Sequence, residues 1–351
     1  MTHPREGARA GRAAVWAVVV LAGLVTSAAV AAAADASDEQ PRFKTRAVDD
    51  ATLERLLELH YTEAEDVRLV LLPASVTDRK GRVVRGLGRE DFKLYDDQVL
   101  QEIKYFSSET REPISIAFLL DISGSMRRQE KLVHAKEAIR YFVDQLREGD
   151  RFGLICFADE QVVWVTELTG DRRRFLQRLE VQEGFGQTAL NDAVAAAPGL
   201  VDDRVGGRKA IVLITDGIDT SSRLSSRQAV ELARQVSVPI YTIGFLAVPA
   251  DHLPKDALAE KLEILDRATA ETGGRLFPVY DPAELKEAIT YIDNELRFQY
   301  VLGYYPSHSD SDGSFRRVRV VANKANWTVR TRSGYYDQPE DGTAAPDEAA
   351  R

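Results

Sequence analysis

Cysteine is all but missing from this sequence: Cys156 is the only one in 351 residues. An intrachain disulfide is therefore excluded, and stability has to come from packing. Cys156 sits in the largely apolar run Phe152–Ala158, with no nearby base to activate a thiolate, so a buried core thiol is expected. Histidine is also scarce. His3, His60, His134, His252 and His308 are scattered and form no ligand spacing, which disfavours zinc and copper sites. Basic excess is lacking too, with 46 Lys and Arg against 55 Asp and Glu and a formal net charge of −9. An acidic chain does not provide the cationic stripe that nucleic acid requires, and it is not drawn to anionic lipid.

Long apolar runs are missing except for one, Ala13–Ala34, which follows Arg5, Arg9 and Arg12. Ala32 and Ala34 are placed as in an A-x-A cleavage site before Asp35, so residues 1–34 are expected to be a cleaved signal peptide. The alternative is an uncleaved anchor, since a run of about 20 residues just spans a bilayer. Either way the body of the chain is expected outside the cytoplasm, periplasmic or secreted. Loss of Arg5, Arg9, Arg12 and Glu6 would make the remainder still more acidic.

Residues 35–65 read as a polar linker with a short helix over Ala51–Tyr61, where Leu53, Leu56, Leu57 and His60 fall at helical spacing. From residue 66 to 107 the period becomes that of strands. VRLVLLPASV is one strand, DRKG a turn, and DFKLYDD followed by VLQEIKYF a hairpin turning near Asp96–Gln98. Residues 112–297 then alternate continuous apolar strands, such as ISIAFLLD and RKAIVLITDG, with amphipathic helices such as KLVHAKEAIRYFVDQL. That alternation predicts an α/β fold, a doubly wound and mostly parallel sheet covered on both faces. Residues 298–336 return to strands, FQYVLGYYP, FRRVRVV and WTVRTRSGYY, and the acidic tail 337–351 reads as disordered.

The two β segments are each too small to bury a sufficient core alone. The expectation is that they pair into one sandwich-like domain into which the α/β domain is inserted. Its core would draw on Val70, Leu72, Phe92, Leu94, Ile103, Phe106, Tyr300, Leu302, Tyr304, Val318 and Val320. Tyr304, Tyr305, Tyr335 and Tyr336 read as packing residues of that sheet and not as a binding platform.

The residues that point to chemistry are Asp121, Ser123 and Ser125, in DISGSM directly after the first apolar strand. Asp216 follows a second such strand at ITDG, and Thr188 opens a helix after the glycine-rich loop GFGQ. In an open parallel sheet, ligands bind beyond the carboxyl ends of strands where the winding direction switches. If the two strands are neighbours there, five oxygen-bearing side chains converge, two of them carboxylates. Such a set suits a hard cation, Mg²⁺ or another such as Mn²⁺ or Ca²⁺, with coordination positions left for water or an incoming acidic group.

D-x-S-x-S, then Thr, then Asp after T-D-G resembles the metal-ion-dependent adhesion site of von Willebrand factor A and integrin I domains. Asp121, Ser123, Ser125, Thr188 and Asp216 occupy all five positions. The resemblance implies that the hydroxyls bind the metal, that the aspartates hold it directly or through water, and that a partner donates a carboxylate. The flanks TDRKGRVVRGLGREDFKLYDD, QEIKYF, QYVLGYYP and TRSGYY are similar to secreted bacterial von Willebrand factor A-related proteins. That group often has a D-G turn where this chain has Asp97-Gln98. The implied role is binding of a protein or peptide with an exposed Asp or Glu carboxylate, without enzymatic activity. The alternatives are structural assembly of an envelope complex, in which the metal only stabilises the loop, and Mg²⁺-assisted hydrolysis. Against hydrolysis, Ser123 stands where D-x-D-x-T phosphatases have a second acid, and Asp121 and Ser125 stand where G-x-S-x-G needs glycines. The sequon Asn326-Trp327-Thr328 is read as coincidence.

Overall fold

The apolar alternation decides which face each residue takes. The computed structural model describes residues 69–108, 112–202, 208–217, 219–245, 255–307 and 313–337. The expected signal segment, the Ala51–Tyr61 helix and the tail beyond Asp337 lie outside the described residues. Along the chain, β1 (Val70–Thr77), β2 (Phe92–Asp96), β3 (Val99–Gln101) and β4 (Tyr105–Ser107) come first. The central stretch runs β5 (Ile114–Asp121), α1 (Lys131–Gln145), β6 (Arg151–Ala158), β7 (Gln161–Thr169), α2 (Arg172–Glu180) and α3 (Leu190–Asp202). It continues with β8 (Arg208–Thr215), α4 (Ser226–Ala233), β9 (Ile240–Phe245), α5 (Lys255–Thr272), β10 (Leu276–Val279) and α6 (Pro282–Arg297). The last strands are β11 (Tyr300–Tyr304), β12 (Phe315–Ala322), β13 (Thr328–Arg330) and β14 (Gly334–Tyr336).

The central sheet has the order β10-β9-β8-β5-β6-β7, parallel except for β7, which forms an antiparallel hairpin with β6. All of β5 is buried, and its side chains divide by the two-residue period of a strand. Ile114, Ile116, Phe118 and Leu120 join the core beneath α1, α2 and α6, whereas Ala117 and Leu119 join the core beneath α3, α4 and α5. The helices answer with apolar stripes: on α1, Leu132, Ala135, Ile139, Phe142 and Val143 recur at helical spacing and are buried. Helix α6 starts where the sequence makes a start favourable. Pro282 opens it, Asp281 accepts from the Ala283 N–H, and the Glu284 side chain reaches back to the Asp281 N–H. Among the described residues no helix is long and apolar enough to cross a membrane.

The remaining strands form two four-stranded antiparallel sheets, β13-β1-β11-β4 and β14-β12-β2-β3. Each mixes strands from before and after the central stretch: β1 pairs with β11 and β13, β11 with β4, and β2 with β12. Ten of the eleven side chains anticipated for a shared core are buried in one cluster, and Phe106 is half-buried against it. Buried Asp96 of β2 accepts hydrogen bonds from Tyr304 Oη of β11 (2.8 Å) and Tyr335 Oη of β14 (2.9 Å), which joins the two sheets through one carboxylate. Burial pushes both phenols above their ordinary range.

Two expected strands are each broken in two. VLQEIKYF is β3 and β4, in opposite sheets, with Ile103 buried at the crossing. WTVRTRSGYY is β13 and β14, likewise divided between sheets. The β2–β3 turn lies where expected, and both Asp97 (φ 42) and Gln98 (φ 72) are left-handed. Asp97 is suited to its place, because its Oδ1 accepts from the Arg317 N–H at 2.9 Å. Left-handed geometry costs an L-residue roughly 1–2 kcal/mol, so Gln98→Gly is expected to stabilise by about 1 kcal/mol and raise the urea midpoint. An unchanged midpoint would mean that the turn carries no such strain.

Candidate metal centre

Strands β5 and β8 are hydrogen-bonded neighbours, and from β5 the sheet extends to β6 on one side and to β8 on the other. Their carboxyl ends therefore meet where the winding direction switches. Leu120 is registered with Ile214, which brings Asp121 opposite Thr215. The fully buried Asp121 carboxylate accepts from Thr215 Oγ1 at 2.6 Å and from the Ser123 N–H at 2.8 Å. Burial pushes its carboxyl up to about 6, against the lowering effect of those hydrogen bonds, and the negative charge of Asp216 adds to the rise. A cation beside Asp121 would favour its ionised form.

Beyond Asp121 the chain turns sharply, so that the Ser123 and Ser125 hydroxyls lie 3.0 Å apart. Close backbone approach makes the turn possible: the Gly124 N–H donates to the Gly186 carbonyl at 3.0 Å, and the Phe185 N–H donates to the Ile122 carbonyl at 2.8 Å. Gly186 is left-handed (φ +67), and a Cβ there would lie 2.3 Å from the Asp159 carboxylate, so only glycine fits. Asp159 in turn accepts from the Gln187 N–H at 2.7 Å. The glycine-rich loop is thereby laid against the DISGS turn.

Thr188 ends that loop and stands two residues ahead of α3, and so does not itself open the helix. It is buried, and its backbone is fixed by Thr220 and Ser221: Thr220 Oγ1 accepts from the Thr188 N–H at 2.9 Å, and the Thr188 carbonyl accepts from both residues' N–H groups. Asp216 lies one residue past β8. Its Oδ2 is 2.9 Å from the ammonium of Lys131, and its Oδ1 is buried with no hydrogen-bond partner among the described residues.

The structure thus brings Asp121, Ser123 and Ser125 into direct hydrogen-bonded contact and sets Asp216 beside them. Thr188 stands at the end of the glycine-rich loop laid against that turn, held by its backbone. Among the described residues no group of three or more His, Cys, Asp or Glu is placed to hold a metal, so any cation here would depend on hydroxyls as well as the two carboxylates. Two adjacent hydroxyls and an unpartnered carboxylate oxygen fit a hard cation. Sequence reasoning missed two participants, Thr215 and Lys131. Thr215 was visible inside ITDG, but Lys131 looked like an ordinary polar residue at a helix start. Cys156 is buried in the core as anticipated, and burial pushes its thiol above the ordinary range.

Known proteins are similar to this chain over more than half of its length. An uncharacterized protein of Borreliella burgdorferi is 33% identical over 223 residues, which covers 59% of this chain and 61% of that protein. A UPF0353 protein of Mycolicibacterium vanbaalenii is 27% identical over 211 residues, covering 54% of this chain and 62% of that protein. The chain thus spans about three fifths of the length of these relatives. Among solved structures, a von Willebrand factor type A protein from Catenulispora acidiphila matches with a TM-score of 0.44 and 15% identity over 79% of this chain and 75% of that one. The family model for the von Willebrand factor type A domain matches residues 115–290, half of the sequence, and the chain belongs to that family.

Proposed function

We propose that this chain is an exported binding module that holds Mg²⁺, or a similar hard cation such as Mn²⁺ or Ca²⁺, at Asp121, Ser123, Ser125, Thr188 and Asp216. There it would take up an exposed Asp or Glu carboxylate of a partner protein. The observation that carries this reading is the placement, past the carboxyl ends of the neighbouring strands β5 and β8, of two serine hydroxyls 3.0 Å apart and of a buried Asp216 Oδ1 that has no hydrogen-bond partner among the described residues. A bound divalent cation supplies a Lewis-acidic point that an external carboxylate can complete. This chain's own residues set its surroundings. Thr215 and the Ser123 N–H orient the Asp121 carboxylate, and the Gly124–Gly186 contact fixes the serine turn. Export is supported by the Arg5–Arg12 segment ahead of the Ala13–Ala34 run.

No enzymatic role is proposed. Among the described residues the two serine hydroxyls hydrogen-bond to each other, and a serine nucleophile needs an adjacent base to be activated. A second reading, structural assembly with the metal only stabilising the loop, is favoured by how firmly the rim is already fastened. Asp192 accepts from the Arg223 and Leu224 N–H groups, and Asp219 accepts from the Asn191 N–H. Chelator-sensitive capture of an envelope partner separates the two, because only the first reading needs the metal for binding.

A ligand bound only by the folded state at about 100 times its Kd adds roughly 2.7 kcal/mol. For a domain of this size that corresponds to a melting-temperature rise of about 5–10 °C. Titrating Mg²⁺ from zero to well above millimolar into chelated protein is expected to produce such a rise, and Asp121→Ala to abolish it. A flat wild-type curve would rule against the metal site.

A further inference from the structure

Lys131 is where a lysine is least at ease. It is the first residue of α1, at the positive end of the helix dipole, and its side chain is 9% exposed. Gln129 (φ 55) and Glu130 (φ 56), two successive non-glycine residues in left-handed conformation, bring the chain to this point. What holds the ammonium is Asp216, whose side chain is 2% exposed and whose Oδ2 lies 2.9 Å away. The relation is mutual, because Asp216 sits beside a second buried carboxylate, Asp121, whose charge opposes its own. Lys131 therefore stands as a covalently tethered monovalent cation at the edge of the very set of oxygens that suits a divalent one.

Resting on the metal reading above, we propose that Lys131 is the resident counter-ion of this centre. In the cation-free protein its ammonium neutralises Asp216, and a divalent cation binds by taking that carboxylate over from it. Two consequences follow from charge alone. The concentration of divalent cation needed to fill the site is set by Lys131, since part of the attraction is spent on displacing an ion pair already made. Selectivity follows as well: Na⁺ or K⁺ offers Asp216 no more charge than the ammonium does, whereas a divalent ion offers twice as much. The Oδ1 of Asp216, which has no hydrogen-bond partner among the described residues, gives the incoming ion a first point of contact before the Lys131 bond is released.

The test is isothermal titration of the full chain with MgCl₂, with free Mn²⁺ counted by electron paramagnetic resonance as a second readout. The proteins are wild type, Lys131→Met, Lys131→Arg, Asp216→Asn and the Asp216→Asn/Lys131→Met double variant, each checked for folding by circular dichroism. Lys131→Gln, which keeps a donor for Asp216, replaces Lys131→Met if the latter does not fold. Removing the positive charge is expected to tighten Mg²⁺ binding about tenfold or more, while Lys131→Arg stays within about threefold of wild type. Once Asp216 is Asn, Lys131→Met is expected to add nothing. Wild-type binding with unchanged or weaker binding in Lys131→Met overturns this proposal alone, because a merely structural lysine would give that result. Binding in Lys131→Met but not in wild type makes the ammonium a permanent occupant and overturns both readings. Absence of binding in every folded protein does the same.

Discussion

Ending the chain at Arg297 is expected to unfold the small β lobe while leaving the central sheet in place. The reason is the way the two lobes share the chain. Without β11 and β13, β1 loses both of its neighbours, and without β12, β2 keeps only the three-residue β3. The core loses Tyr300, Leu302, Tyr304, Val318, Val320 and Tyr335, and Asp96 loses both of its phenolic donors. At about 1.5–3 kcal/mol for each buried side chain, that loss matches or exceeds the 5–15 kcal/mol of net stability typical of a whole domain. The six strands of the central sheet, by contrast, all lie between Ile114 and Val279 and are untouched. The A domain should nonetheless melt earlier. Glu295 of α6, which is fully buried, pairs with Arg330 of β13 and accepts from Tyr241 Oη at 3.0 Å. Truncation leaves that carboxylate without its guanidinium. Limited proteolysis with mass spectrometry should find cuts within residues 69–107 and protection of the strands β5 to β10. A fragment that keeps residues 69–107 protected would mean that the two β segments fold independently, and the shared-core account would fail.

The central domain was legible because its signals are local. Strands apolar on both faces, separated by helices with apolar stripes and capping residues, admit few arrangements, and the position of the candidate site is read from where two such strands end. The small lobe was legible in its core and not in its strand breaks. VLQEIKYF keeps a period of two through Ile103, so nothing local records that the chain crosses to the opposite sheet there. In WTVRTRSGYY the break comes from outside. The Ser333 N–H donates to the Glu271 carbonyl at the end of α5, and Gly273 approaches so closely that a Cβ would lie 2.7 Å from the Arg332 nitrogen. The A domain draws that stretch out of line, a tertiary effect that strand propensity does not record. Lys131 escaped notice for a similar reason. Its partner Asp216 is 85 positions away, and a lysine at a helix start reads as solvated until that contact is seen.

The largest effect of a single substitution is expected at the amino edge of the central sheet, away from the candidate metal centre. Asp150 precedes β6, and its side chain is 2% exposed. Its Oδ1 accepts from the Ile114 N–H at 3.0 Å, at the first residue of β5. Its Oδ2 accepts from the Arg147 N–H at 2.7 Å and from the guanidinium of Arg297, the last residue of α6, at 2.8 Å. One carboxylate therefore ties together the strand by which the chain enters the A domain and the helix by which it leaves. Arg297 is itself 3% exposed and also pairs with Asp293. Arg208, at the start of β8, donates to the Leu296 and Arg297 carbonyls and so closes the end of the same helix. Asp150→Ala removes half of a buried ion pair and leaves the Ile114 N–H without its acceptor, at a cost of about 3–5 kcal/mol. At about 2–4 °C per kcal/mol, the melting temperature should fall by roughly 6–20 °C. Asp150→Asn keeps an acceptor and should lose less. Adding Arg297→Met to Asp150→Ala should restore part of the loss, because it removes the stranded charge. The rise in melting temperature on adding Mg²⁺ should survive in all three variants, since Asp121 and Asp216 stand at the opposite ends of the strands. An Asp150→Ala protein that melts within a degree or two of wild type would show that this junction does not hold the inserted domain in place.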